Sequence, residues 1–208
     1  MNAITRRYPV GIQTFSEIIE LNCVYVDKTA LIHRMVHESG KSYFLTRPRR
    51  FGKSLLISTL QAYFEGRKEL FKGLAMEQLE SEWKVYPVLR LDLSRSKYTS
   101  IEELNSVLEY HLRSWEKRYG ALDYSATYTA RFASVIERAY EQTGQKVVVL
   151  IDEYDSALID SNNTPELQQQ LRNTIRSFYS PLKSADPYLR FLFLTGITKF
   201  SQMSILAS

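Results

Sequence analysis

Cysteine, glycine and proline are all scarce in this 208-residue chain, which has one Cys, eight Gly and six Pro. The single thiol, Cys23, cannot close an intrachain disulfide and has no CxxC or histidine partner nearby for zinc, so it reads as a small buried apolar residue. So little Gly and Pro excludes collagenous and low-complexity chains. Long hydrophobic runs are also missing. The longest clean one, Val147 to Ile151, is far short of the ~20 residues that cross a bilayer, so no membrane span is expected. The basic pair Arg6-Arg7 is followed by no apolar segment of the signal-peptide kind, and a reducing, cytoplasmic setting is expected.

What is present suits one folding unit with a real core: 44% hydrophobic and 24% charged residues in 24.2 kDa. No repeat and no linker-like stretch divides it. The net charge of +4 is a mild excess that permits attraction to polyanions without demanding it. Local density matters more, because Arg47, Arg49, Arg50 and Lys53 fall within seven residues. The 14 tyrosines are spread along the chain and form no stacking platform for nucleic-acid bases.

Periodicity predicts alternating elements. Turn signals at Tyr8 to Gly11 precede a short helix near Thr14 to Glu20 and the segment YVDKT, 25 to 29; a helix over Ala30 to Glu38 then stops at Gly40. A β-prone run, Ser42 to Thr46, meets RPRRFGKS, and from Ser54 the apolar spacing is helical. Pro87 to Leu93 reads as a strand, about Ser100 to Tyr119 and Thr129 to Thr143 as helices, and the second of these stops at Gly144. The β-branched run from Lys146 to Leu150 suits a strand covered on both faces. Asn163 to Tyr179 reads as a helix capped by Asn163 or Thr164 with Pro165 early in it, and Arg190 to Gly196 as a fourth strand. Such alternation predicts an α/β domain with a mostly parallel sheet, whose ligands sit beyond the carboxyl ends of the strands.

Those ends carry RPRRFGKS, Asp92, Asp152-Glu153 and Thr195. Residues 47 to 54 match the second half of the phosphate-loop pattern GxxxxGK[ST], with Arg47 where the first Gly stands. Gly52 would let backbone amides approach a phosphate at a helix N-terminus, Lys53 would reach the terminal phosphates, and the Ser54 hydroxyl would meet Mg²⁺. Alone, FGKS also reads as a Gly-started helix with a solvated lysine; its position between a strand and a helix shifts the balance. About 100 residues later, five apolar residues end in Asp152 and Glu153. Asp152 would hold the metal, and Glu153 would polarise an attacking water; the plainer alternative is an acidic turn. Thr195 would orient the same water, or simply close its strand.

The ordered set YPVGIQTF (8 to 15), YVDKT, RPRRFGKS, LIDEYD (150 to 155) and FLTGITKFS (193 to 201) resembles the predicted AAA-ATPase-like family of bacterial P-loop proteins over nearly the whole chain. The resemblance implies a three-layer P-loop NTPase core of the additional-strand, catalytic-glutamate type. Lys53, Glu153 and Thr195 would be its catalytic and sensor residues. Arg47, Pro48, Arg49, Arg50, Phe51, Gly52, Lys53, Ser54 and Leu55 would bind ATP, and Ser54 and Asp152 would hold Mg²⁺. It also implies that relatives continue past the position of Ser208 with a fifth strand, a helical region and often a PD-(D/E)XK nuclease-like domain. The chain is therefore expected to carry residues 1–40 as a segment packed on a core, 41–208, that is truncated after the fourth strand, with no nuclease activity.

Other residues are weaker candidates. Tyr25, Asp27 or Lys28 would lie near a base or ribose, against the plainer reading of Asp27 or Thr29 as helix caps. Arg172, Arg176 and Arg190 read as solvated arginines, with arginine fingers as the alternative; Trp83 and Trp115 read as packing residues. His33 and His37 are four apart, but no third ligand accompanies them in sequence. The favoured function is an Mg²⁺-dependent ATPase switch. The alternatives are a nucleic-acid-binding module built on the basic loop and a nucleotide-binding domain without turnover; a nucleic-acid or protein partner and an oligomer are compatible with each.

Overall fold

The computed structural model describes residues 6–38, 40–123, 126–159 and 164–197. Strands β1 (Ser42–Thr46), β2 (Val88–Asp92), β3 (Val147–Asp152) and β4 (Leu189–Gly196) form one sheet in the order β1-β4-β3-β2. All three pairings are parallel. The α/β class and the parallel sheet expected from the sequence are what the structure has. The last of these strands in sequence thus lies between the first and third, which separates β1 from β3 by two strand spacings, about 9–10 Å.

Side-chain alternation builds a core on each face. Val147, Val149 and Ile151 of β3 enter one cluster, while Val148 and Leu150 enter the other, which is why an unbroken apolar run is needed on this central strand. The second cluster is closed by α1 (Phe15–Glu20), α2 (Thr29–His37), α3 (Lys53–Phe64) and α4 (Ala75–Leu79). The first is closed chiefly by α5 (Ile101–Tyr119), α6 (Tyr128–Thr143) and α8 (Pro165–Tyr179), with the short helices α7 (Ser156–Ile159) and α9 (Pro181–Ser184). Helices, sheet and helices make three layers.

Local chemistry sets several boundaries. The Thr164 hydroxyl accepts from the Leu167 amide at the start of α8, where Pro165 opens the helix, and α6 ends at Gly144 in the left-handed conformation. Asn163, the other cap candidate, lies outside the described residues. A buried arginine joins two helices: Arg131 of α6 donates to both oxygens of Glu116 on α5 at 2.7 Å. Cys23 is buried, Trp115 packs on Phe132, and Trp83 on Phe71, as their sequence context suggested. The 3₁₀ turn Lys68–Phe71 and the helices α4, α7 and α9 escaped the sequence reading because segments of four or five residues show no period. No helix among the described residues is long and apolar enough to cross a membrane.

The register brings the strand ends to one edge, with Thr46 opposite Gly196 and Asp92 opposite Asp152. Gly196 permits a close approach there. A Cβ on it would lie 2.2 Å from the Tyr154 ring and 2.8 Å from an Asp155 carboxylate oxygen. Gly196→Ala is expected to cost about 1–3 kcal/mol by overpacking, read as a lower urea midpoint. Gly40→Ala, with open space around its Cβ position, should leave the midpoint unchanged.

Candidate functional site

The loop between β1 and α3 starts as a continuation of the sheet, with the Arg47 amide donating to the Gly196 carbonyl at 3.1 Å. It then tightens through two left-handed residues, Arg50 (φ 66°) and Gly52 (φ 74°). Glycine adopts this conformation without steric cost; an arginine there stores strain of the kind held at functional loops. Gly52 stands at the N-cap of the 12-residue α3 and supplies no side-chain cap. The first amides of the helix therefore face outward with the positive end of its dipole, a ready anion site.

Lys53, the first residue of α3, is only 4% exposed. Its ammonium donates to the carbonyls of Arg47 at 3.0 Å and Pro48 at 3.1 Å and lies 3.9 Å from a Glu153 carboxylate oxygen. It is an inward-facing charge, unlike Arg47, Arg49 and Arg50, which are exposed. Phe51 and Pro48 are exposed on the same loop.

The acidic pair sits where β3 ends. Thr195, fully buried on neighbouring β4, donates its hydroxyl to an Asp152 oxygen at 2.6 Å and accepts the Glu153 amide at 3.1 Å. Its carbonyl accepts the Tyr154 amide at 2.9 Å. The other Asp152 oxygen lies 3.8 Å from the Arg90 guanidinium. These bonds hold Glu153 in the left-handed region, at φ 51°. Burial pushes the Glu153 carboxyl above the ordinary glutamate range; Lys53 opposes the shift and Asp152 adds to it.

A cleft of about 770 Å³ gathers many of these groups. Arg49, Arg50, Gly52, Lys53, Ser54 and Leu55 form one wall, and Glu153 reaches it from the sheet edge. Asp152 and Thr195 are paired with each other behind Glu153. A further wall, Val10 to Gln13, has no counterpart among the candidate binding residues drawn from sequence, although Tyr8 to Gly11 carried a turn signal. That wall is fastened to α3 through Ser58, whose hydroxyl accepts the Phe15 amide at 2.9 Å and donates to the Leu55 carbonyl at 2.9 Å. Nothing in the sequence marks Ser58 for this task.

The YVDKT segment takes its plainer reading. One Asp27 oxygen accepts the amide and hydroxyl of Thr29 at the start of α2, and the other accepts the Ala75 amide at the start of α4. Arg190 is engaged within the fold, donating to the Val36 carbonyl at 3.2 Å and lying over the Tyr86 ring.

A strand order that inserts β4 between the loop strand and the acidic strand is consistent with a P-loop-like three-layer α/β fold, and residues 9–206 match the family described as predicted AAA-ATPase. The chain belongs to that family. This AAA-ATPase-like chain is also 37% identical over 204 residues to an uncharacterized protein in the vnfD 5′ region of Azotobacter chroococcum mcd 1. The match covers 96% of the chain and 39% of that relative, so the chain spans well under half its length. No solved structure matches the chain significantly.

Thr195→Val keeps the shape of the side chain and removes both hydroxyl bonds at this sheet edge of the AAA-ATPase-like chain. It is expected to destabilise the fold by about 1–3 kcal/mol, the cost of leaving buried polar partners unpaired. Thr195→Ser should stay close to the parent protein. Chemical denaturation of the two variants measures the difference.

Proposed function

We propose that this chain binds ATP with Mg²⁺ in the cleft and hydrolyses it, the cycle acting as a nucleotide-driven switch. The observation that carries the reading is the approach of the Lys53 ammonium to the Glu153 carboxylate, 3.9 Å apart on one cleft with the uncapped start of α3. A buried cation, free helix amides and a base just past the end of β3 are what transfer of a phosphoryl group to water requires. ATP is chosen over other nucleotides on the strength of the family alone.

In this proposal the triphosphate lies on the amides of Gly52 to Leu55, and Lys53 leaves the Arg47 and Pro48 carbonyls to meet its terminal oxygens. Arg49 and Arg50 add positive potential at the rim. Ser54 and Asp152 are hard oxygen donors suited to Mg²⁺, and they would hold it to offset charge on the terminal phosphates. Glu153, its carboxyl raised by burial, takes the proton of the attacking water. Thr195 spends its hydroxyl hydrogen on Asp152, so it acts as a positioning residue for the two acids. Val10 to Gln13 offer backbone and apolar surface to the base.

The inward aim of Lys53 favours a nucleotide over a nucleic-acid backbone as the ligand of this loop. A polyanion spread across the surface would meet the three arginines without reaching that ammonium.

Mg²⁺-ATP is expected to raise the melting temperature of the parent chain by mass action. Lys53→Ala should weaken binding by about tenfold or more, a charge-assisted phosphate contact being lost. Glu153→Gln should retain binding while phosphate release falls at least about 100-fold, the lower range for a general base. Binding without any phosphate release by the parent chain would reduce the function to nucleotide binding. No thermal response to Mg²⁺-ATP would overturn the proposal.

A further inference from the structure

The histidines His33 and His37 lie one turn apart on α2, and their rings stack with centroids 4.2 Å apart. No third ligand is visible near them in sequence, but folding brings one from 43 residues away. Glu80, just past α4, places a carboxylate oxygen 3.0 Å from His37 Nε2. One ring nitrogen of each histidine and one Glu80 oxygen all lie within 4.8 Å of one another. This is the one such group of three metal-ligating side chains among the described residues.

We propose that His33, His37 and Glu80 form a Zn²⁺ site, separate from the nucleotide cleft. Two imidazoles and a carboxylate are a donor set for zinc, with a remaining position for water or another ligand. Zinc bonds of about 2.0–2.2 Å in a tetrahedron place ligand atoms about 3.3–3.6 Å apart. The His37 to Glu80 separation of 3.0 Å is already near that range, and no pair of the three ligand atoms is more than 4.8 Å apart. His37 is 40% exposed at its side chain and Glu80 is 6% exposed, so an ion reaches the group from solvent and binds against a buried carboxylate.

The surroundings also orient the carboxylate. The Tyr63 hydroxyl donates to the Glu80 oxygen that faces His37, and the Glu82 amide donates to the other oxygen at 2.9 Å. Such outer contacts fix a ligand before the metal arrives. Tyr63 belongs to the last turn of α3, about 15 Å along the helix axis from Lys53, which sets the site at the far end of the helix that opens the cleft.

A purely structural tie is the competing explanation for the group, and its hydrogen bonds run through His37, Tyr63 and Glu80. His33 therefore separates the two. The full chain, treated with a chelator and kept free of nucleotide, is titrated with Zn²⁺ by calorimetry. One equivalent should bind, and His33→Ala, a helix-favouring change on a partly exposed residue, should weaken that binding by about tenfold or more. Co²⁺ in place of Zn²⁺ should give visible d–d bands in the parent chain that are lost in His33→Ala. Absence of Zn²⁺ binding by the parent chain, or unchanged affinity in His33→Ala, would overturn the site.

Discussion

One hydroxyl organises the acidic edge of the sheet. Thr195 Oγ1 gives its hydrogen to Asp152 and receives the next residue's amide, so a carboxylate and a backbone turn are fixed by the same atom. The arrangement exists only because β4 lies beside β3, and β4 lies there because it separates β3 from β1. Strand order therefore decides which side chains converge. With β4 between β1 and β3, the loop after one strand and the acids after the other meet at a shared cleft, where Lys53 and Glu153 approach to 3.9 Å.

The two cores make that edge rigid. The central strands β3 and β4 are buried on both faces against helices, so their ends cannot shift independently, and the strain at Glu153 is borne by the packing behind it. Helix α3 is the longest connection out of the cleft on its face of the sheet. It begins at Lys53, is fastened midway to the amino-terminal segment by Ser58, and ends beside Tyr63, where the histidine and glutamate group lies.

Much of this was legible in the sequence because it rests on local pattern. Strand β3 announced itself by five apolar residues followed by two acids, α6 by its period and terminal Gly144, and α8 by Thr164-Pro165. Lys53 and Glu153 are ordered by motifs that need only a strand end and a helix start. What stayed hidden depends on long-range approach. The Ser58 hydroxyl meets Phe15 across 43 positions, Glu80 meets His37 across the same span, and Arg90 reaches Asp152 from a neighbouring strand. A serine within a helix and a glutamate after a five-residue helix have no periodic or compositional signature. Arg190 shows the same effect in reverse, since a residue that reads as solvated is held by a carbonyl and a ring from two other elements.

The wall formed by Val10 to Gln13 changes where the functional unit begins. Topology alone would draw the boundary at Ser42, where the sheet starts, and would treat everything upstream as an appendage. Yet Phe15 is wholly buried against α3, and the segment before it closes one side of the cleft. A shortened protein starting at β1 would keep Lys53, Glu153 and the basic loop and still present an open-sided pocket, with the underside of α3 laid bare to water.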